Sequence, residues 1–208
     1  MTTRWERFQQ EVVHGNVVLN FTSFPKGDLG VYAHAYQQAA NSLVKEVRGK
    51  PYYSDAEACP IVFLYRHSVE LYLKQIVLWG AGLVHLQTGD ALDVHGLFST
   101  HEFKLLLLHV RKVFEVAGWL NSSESAPKYG TFAEIESVIM EFEKIDPQSF
   151  AFRYPIDKKG DAPLPEHFHF NVVKLGEEMD QPLRMLDGAA TGVYEQFQFL
   201  AREYHSMR

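Results

Sequence analysis

Apolar residues recur every three or four positions along much of the chain, a spacing that places them on one side of an α-helix. Residues 29–47 carry this pattern and are followed by Gly49. The apolar positions in this segment are Tyr32, Ala35, Tyr36, Ala39, Leu43 and Val47. We therefore predict a helix of about five turns that faces the core with these residues and ends at the glycine.

A second helix is predicted over residues 59–79, where Pro60 is compatible with the first helical turn. The segment is apolar nearly all round, which is typical of a helix in the centre of a bundle. Gly80 and Gly82 are predicted to end this helix. A long, glycine-rich connection is predicted to follow them.

Two later segments contain Ser or Thr followed three positions on by Glu, a pattern that caps the first turn of a helix. Ser99 with Glu102 predicts the start of a third helix, and Thr131 with Glu134 predicts the start of a fourth. Asp146 and the proline after it are predicted to end the fourth helix. The predicted apolar faces are Phe103, Leu106, Leu107, Val110 and Phe114 in the third helix and Ile135, Ile139, Phe142 and Ile145 in the fourth.

The period changes to alternation between residues 149 and 172, where "SFAFRYP" and "EHFHFNV" place an aromatic or apolar residue at every second position. We predict two short strands that form a small β-hairpin near residues 149–172. A helical pattern resumes over residues 172–205, with an interruption predicted near Pro182. The fold predicted for residues 1–208 is a single all-α domain, an antiparallel bundle of four to five main helices with the hairpin inserted.

Composition and charge are those of an ordinary globular protein with no overall attraction to nucleic acid or membrane. The 208 residues include 20 Lys and Arg and 26 Asp and Glu, for a net charge of -6. Any phosphate binding must therefore come from a local patch. Cys59 is the only cysteine, which excludes an intrachain disulfide. The sequence shows neither a signal-peptide pattern nor an apolar run near the roughly 20 residues of a membrane span, so we predict a cytoplasmic protein without a membrane partner.

Motifs for a nucleotide cofactor or a metal-dependent hydrolase are not found. The chain lacks glycine-rich phosphate loops, HExxH and GxSxG. His167 and His169 would share one face of the predicted strand, and a metal site there would need a third ligand such as Glu166, Asp157 or Asp161. Two histidines on the wet side of a hairpin are the simpler interpretation, and we predict neither a cofactor nor a metal.

The segment "LYRHSVELYLKQI", residues 64–76, places four polar side chains on an otherwise apolar helix. At about 100° per residue, Arg66, His67, Glu70 and Lys74 fall within one stripe of roughly 100°. Two interpretations are open. The side chains form ordinary i,i+4 ion pairs on the one solvated face of a central helix, or they border a cleft or a subunit interface.

Arg153 in the predicted hairpin is a second candidate for chemistry. If the aromatic residues of both strands pack inward, Arg153, His167 and His169 share the outer face. An arginine that holds phosphate beside a histidine that moves a proton suits phosphodiester chemistry. Simple alternation of exposed polar residues is the other explanation.

Three segments resemble parts of HEPN-type helical domains, in the same order along the chain. "YRHSVELYLKQIVL" resembles their second helix, "THEFKLLLLHV" is similar to the start of the next helix, and "IDPQSFAFRYP" resembles a late segment that ends in an Arg-Tyr-Pro turn. The match covers about residues 30–155 in fragments. It implies a helical bundle that commonly dimerises, in a family of metal-independent endoribonucleases, toxin and phage-defence components, and nucleotide-associated domains without activity.

In the nucleases of that family, an Arg is followed four to six residues later by a His on a late helix, and two copies meet across the dimer. The resemblance implies that the Arg stabilises phosphate while the His assists attack by the ribose 2′-hydroxyl. In this sequence the only Arg-to-His pair with four to six residues between its members is Arg7 with His14, at the opposite end of the chain.

We therefore predict a homodimeric HEPN-like protein that acts on or binds RNA or nucleotides. A metal-independent endoribonuclease of a toxin or defence type is one form of this prediction, and a noncatalytic module that binds a nucleotide or a protein partner is the alternative. The catalytic candidates are Arg66, His67, Glu70, His101, Arg153 and His167, and the substrate-binding candidates are Lys74, Tyr154 and His169.

Overall fold

The computed structural model describes residues 28–53, 55–120 and 131–206. These residues form five α-helices and no strand, which confirms the predicted all-α class. The helices are α1 (Leu29–Gly49), α2 (Ala58–Thr88), α3 (Phe103–Val116), α4 (Phe132–Ile145) and α5 (Val172–Ser206). Within the same residues, no helix combines the length and the apolar character that crossing a membrane requires.

Helix α2 is the central element of the bundle, as its apolar circumference predicts. It packs against α1, α3 and α5, while α1 also packs against α5. Helix α4 touches α3 and α5 at the periphery. Ile61, Val69, Leu73 and Ile76 of α2 are buried in the resulting core.

The prediction that Gly80 and Gly82 end α2 is wrong, because the helix continues through both glycines to Thr88. A Cβ atom on Gly80 would lie 2.5 Å from the methyl groups of Val113 in α3, and one on Gly82 would lie 2.5 Å from the Phe197 ring of α5. Both glycines therefore permit close approach between helices. Helix α2 stops instead at Gly89, whose φ of 77° is a conformation that glycine adopts readily.

Helix α1 forms where predicted but faces the core with a different set of residues. Its buried positions are Ala33, Gln37, Ala40, Val44 and Val47. Tyr32 is 49% exposed, so the predicted face is displaced by one position along most of its length. Small side chains occupy the contact because α1 lies close to its neighbours, and a Cβ on Gly176 of α5 would lie 3.1 Å from Val44.

One of the two predicted capping boxes forms. Thr131 accepts a hydrogen bond from the Glu134 amide, and the Glu134 carboxylate accepts one from the Thr131 amide, as the sequence predicts. Helix α3 begins later than predicted, at Phe103, because the Ser99 hydroxyl donates to the carbonyl of Gly96 in a preceding turn. The apolar face predicted for α3 is nevertheless buried throughout.

The predicted hairpin near residues 149–172 is wrong, since this segment consists of turns and bends without a strand. The Asp146 carboxylate accepts hydrogen bonds from the amides of Phe150 and Ala151, at 2.6 and 3.0 Å. The amides of Arg153 and Tyr154 both donate to the Phe150 carbonyl. Backbone donors that a strand would offer to a partner are therefore used locally.

Helix α5 has nearly the predicted bounds but is more regular than predicted. It runs from Val172 to Ser206 without interruption, and Pro182 lies inside it as a buried residue. The expected break does not occur because this part of α5 is held in the core, where Met179, Leu183 and Leu186 are all buried.

Candidate functional site

Arg66 is the centre of a buried polar network beneath the ends of α3 and α4. Its side chain has no exposed surface, and its Nη1 atom lies 3.3 Å from Oε2 of Glu70, one helical turn away on α2. The guanidinium also donates to two backbone carbonyls, that of Asp146 at 3.1 Å and that of His101 at 2.9 Å. The Phe103 ring covers the group, 4.3 Å from its central carbon to the ring centroid.

Glu70 connects this arginine to Lys74 and His101. Its Oε1 atom accepts a hydrogen bond from Lys74 Nζ at 2.8 Å and lies 3.0 Å from His101 Nδ1. Burial alone would raise the pKa of the Glu70 carboxyl, but the hydrogen bond and charge of Lys74, together with His101, outweigh burial and lower it. Glu70 is therefore an anion whose carboxylate oxygens are hydrogen-bond partners of Arg66, Lys74 and His101 at once.

The stripe on α2 is covered by other parts of the same chain. Lys74 is 4% exposed and Glu70 only 2%, so neither solvation nor an open groove explains their presence. Residues 101–103 and Asp146 cover the stripe. The i,i+4 spacing that the sequence displays produces the Arg66–Glu70 and Glu70–Lys74 pairs.

His67 lies at the outer edge of the network. Its imidazole stacks on the Phe63 ring, with centroids 5.6 Å apart and planes at 8°, and meets the edge of Tyr36 at 4.6 Å. Burial lowers the pKa of His67, and the positive charges of Lys74 and Arg153 lower it further against the opposite effect of Glu70. At neutral pH the imidazole is therefore uncharged and able to accept a proton.

Arg153 reaches the same place from the segment before α5. Its side chain is exposed, and its guanidinium carbon lies 5.7 Å from the Phe63 centroid and 5.8 Å from that of Tyr154. The Nε group donates to the carbonyl of Ser149, which fixes the direction of the side chain. Phe63 thus contacts both His67 and Arg153, so one aromatic ring brings the two basic groups to the same place.

We call the exposed part of this arrangement the His67–Arg153 surface, formed by Phe63, His67, His101, Arg153 and Tyr154. Its side chains come from α2, from the residues just before α3 and from the segment that follows α4. His101 is 48% exposed in its side chain, and Tyr154 is 50% exposed. Below it lies the buried network of Arg66, Glu70, Lys74 and Asp146.

The structure brings together seven of the nine candidate residues and separates two. His167 and His169 are exposed on the segment before α5 and take no part in the contacts described above. Arg7 and His14 lie outside the described residues. The predicted sharing of one face by Arg153, His167 and His169 fails because it depends on the hairpin.

Three participants are not identified from the sequence, namely Tyr36, Phe63 and Asp146. The sequence interpretation of Asp146 is only the end of α4, although its carboxylate also caps the next turn and approaches Arg66. An acidic residue directly after a helix and before proline is the available signal. Among residues 28–53, 55–120 and 131–206, no group of three or more His, Cys, Asp or Glu side chains is arranged to hold a metal ion.

Comparison with protein-family models, with curated proteins and with solved structures gives no significant match for this chain. The functional argument therefore depends on the geometry of the site.

The lowered pKa of His67 predicts that acid weakens the fold before carboxylates titrate. The unfolded chain takes up this proton near the ordinary value of 6.5, whereas the folded protein does so only at lower pH. We expect the free energy of unfolding to decrease as pH falls below about 6.5 towards the folded-state pKa. Chemical denaturation at several pH values measures this slope.

His67→Phe, which keeps a ring beside Phe63, should show a smaller slope over that range. The exposed His95 provides the control, since His95→Phe should leave the slope as it is in the unaltered protein. Equal slopes for His67→Phe and the unaltered chain would contradict the assignment of the effect to His67.

Proposed function

We propose that this chain is a HEPN-like protein that binds single-stranded RNA through the His67–Arg153 surface, and that it works as a homodimer in the cytoplasm. The observation that carries the proposal is the position of Phe63, whose ring contacts both the exposed Arg153 cation and the uncharged His67. The order of the three HEPN-like sequence segments supports the same function.

The chemistry of the surface suits a nucleotide. An exposed guanidinium binds phosphate oxygens in a bidentate manner, and exposed aromatic rings such as Tyr154 stack with unpaired bases. The chain as a whole carries a charge of -6, so binding depends on this local arrangement and not on the net field. Bases that stack on Tyr154 must be free of a duplex, which favours single-stranded RNA.

We infer that the same surface supports metal-independent cleavage of the bound strand. His67, uncharged at neutral pH, accepts the proton of a ribose 2′-hydroxyl as the oxygen attacks the adjacent phosphorus. His101, oriented by its hydrogen bond to Glu70, acts as an imidazolium whose other ring nitrogen gives a proton to the departing 5′-oxygen, and Arg153 stabilises the charge on phosphate. The products are a 2′,3′-cyclic phosphate and a free 5′-hydroxyl.

In this proposal Arg66, Glu70 and Lys74 position other groups and do not touch the ligand. Their polar atoms are paired inside the protein. The burial of Arg66 favours the second candidate function, a noncatalytic nucleotide-binding module, because this arginine is not available to stabilise a transition state. Cleavage and binding are separated by measuring both with the same RNA.

Arg153→Ala is expected to weaken binding of single-stranded RNA about tenfold, because it removes the phosphate-binding cation while Tyr154 still stacks. Fluorescence anisotropy with a labelled oligonucleotide in EDTA measures the affinity, and product analysis of the same mixtures detects cleavage. If the protein cleaves, His67→Phe should abolish cleavage with little change in affinity.

Arg202→Ala is the matched control, because it removes the same charge from an exposed position on α5. Phe197, on the same stretch of α5, packs at Gly82, which lies about 22 Å along α2 from His67. The RNA affinity of the Arg202→Ala variant should equal that of the unaltered protein. Absence of RNA binding across a broad panel would overturn the proposed function, and equal affinities for Arg153→Ala and Arg202→Ala would overturn the proposed surface.

A further inference from the structure

A concave site lies beside the His67–Arg153 surface. It is a cleft of about 450 Å³ between the end of α4 and the irregular segment that follows, and residues 145–148, 150, 151, 157–159 and 163 contribute to its lining. Lys158, Lys159 and Phe150 are among its lining residues. The proposed function assigns no role to these two lysines.

Both acidic residues in the cleft are already satisfied by the protein. Asp146 accepts two backbone amides through Oδ1, and its Oδ2 lies 3.7 Å from Nε of Arg66. Asp157 accepts hydrogen bonds from the amides of Lys159 and Asp161, at 2.8 and 2.9 Å, within its own turn. These carboxylates hold the backbone of the cleft in place, and backbone donors partly offset their charge.

The two lysines have no such partners. Both side chains are exposed, and neither ammonium group forms an ion pair or hydrogen bond with any residue that the structure describes. Two adjacent ammonium groups at the edge of a concave surface favour a bound anion, and phosphate is the anion that lysine commonly binds as a point charge.

The cleft is continuous with the proposed RNA-binding surface. Phe150, which lines the cleft, stacks on Tyr154 with centroids 4.6 Å apart and planes at 27°. The guanidinium of Arg153 lies on the same Tyr154 ring. A strand that stacks a base near Tyr154 and binds one phosphate at Arg153 would therefore extend directly towards the lysines.

We propose that this cleft binds the phosphate of a neighbouring nucleotide of the same RNA strand, so that the ligand is an oligonucleotide and not a mononucleotide. This inference depends on the proposed function and assigns its substrate class. Lys158 and Lys159 bind the second phosphate, while Asp146 and Asp157 shape the turn that presents them. The Phe150–Tyr154 pair separates the two phosphate positions.

Replacing both lysines tests the inference. The double variant Lys158→Ala/Lys159→Ala should bind a single-stranded RNA octamer about three- to tenfold more weakly in EDTA at low salt. The slope of log affinity against log salt concentration should become shallower by about 0.7 for each phosphate that the variant no longer neutralises. A 5′-mononucleotide should bind the double variant and the unaltered protein equally, because it occupies only the position at Arg153.

The variant Lys45→Ala/Arg202→Ala is the matched control, since it removes two exposed positive charges elsewhere and gives the same net charge. It should retain the affinity and salt slope of the unaltered protein, and thermal melting should show that both variants are folded. An equal decrease in affinity for both double variants would overturn the cleft assignment in favour of general electrostatics.

The outcomes separate the two proposals. If Lys158→Ala/Lys159→Ala binds the octamer normally while Arg153→Ala binds it weakly, the cleft inference is overturned and the proposed function stands. If the double variant weakens the mononucleotide as much as the octamer, the claim of a second phosphate position is overturned. If the unaltered protein binds no RNA, both proposals fall together.

Discussion

Glu70→Leu is expected to lower the free energy of unfolding by about 3–5 kcal/mol, the largest effect of any single substitution considered for this chain. Arg66 and Lys74 are both buried, and both direct a charge at the Glu70 carboxylate. Without that carboxylate, two positive charges remain inside the protein with too little compensation. Urea denaturation followed by circular dichroism measures the decrease in stability.

Glu177→Leu is the matched control, because Glu177 forms an ion pair with Arg48 at 2.6 Å but is 63% exposed. Water screens this pair, so we expect a change below about 1 kcal/mol. A similar small change for Glu70→Leu would show that the buried network does not contribute as described.

A triple replacement separates charge burial from packing. Replacing Arg66 and Lys74 by methionine in the Glu70→Leu background removes all three charges and keeps similar volumes. The triple variant should be more stable than Glu70→Leu alone, because it removes the two buried cations that lose their carboxylate in that variant. Asp146 loses the nearby Arg66 in the triple variant but keeps its hydrogen bonds from the amides of Phe150 and Ala151.

Gly80→Ala is expected to lower the free energy of unfolding by about 1–3 kcal/mol. The added Cβ would lie 2.5 Å from both methyl groups of Val113, a side chain with no exposed surface. Helices α2 and α3 would have to move apart, although alanine by itself favours a helix. Thermal and chemical denaturation should both show that Gly80→Ala is less stable than the unaltered protein.

Gly188→Ala provides the opposite expectation at a helical glycine of α5. A Cβ at Gly188 meets nothing within 4 Å, so the alanine should stabilise the protein by about 0.5–1 kcal/mol. Combining Gly80→Ala with Val113→Ala should recover part of the stability, since the colliding methyl groups are gone. No recovery would indicate that the close approach of Gly80 and Val113 is not the cause.

Hydrophobic period was sufficient to identify the helical class and the apolar faces of α3 and α4. In α3, Phe103, Leu107 and Val110 lie on one face because a single side of that helix packs against the bundle. The period failed for α1, where Tyr32 and Ala33 are adjacent apolar residues and only tertiary contact decides between them. Ala33 faces the neighbouring helices because its small side chain permits closer approach than that of Tyr32.

Alternation in residues 149–172 gave a wrong prediction because the backbone donors that a strand would offer to a partner are used locally. Phe152 does contact Phe168 and Phe170, but through side chains alone and without a strand. Asp146 supplies a competing acceptor for the amides of Phe150 and Ala151. Likewise, Gly80 resembles a helix end in sequence because its role depends on Val113, which belongs to a different helix. Local patterns do not contain information about such contacts.

The charged stripe of the candidate site was identified from the sequence, but its surroundings were not. The spacing of Arg66, Glu70 and Lys74 predicts mutual ion pairs in any helix. The stripe is covered by the backbone at His101 and Asp146, whose carbonyls accept hydrogen bonds from Arg66. These residues are distant from Arg66 in sequence, so the tertiary fold is what brings them to the stripe. The contact of Phe63 with Arg153 is of the same kind, because it joins α2 to a segment beyond α4.

Arg66 acts as a noncovalent cross-link that closes two loops with one planar group. Its hydrogen bonds reach the carbonyls of residues 35 and 80 positions away in sequence. The entropic free-energy cost of closing a flexible loop increases only by about 0.6 kcal/mol for each doubling of its length. The loop closed at Asp146 therefore costs little more to close than the shorter loop closed at His101. The separation of the His101 and Asp146 carbonyls is therefore set by the width of a guanidinium and not by the lengths of the chain segments between them.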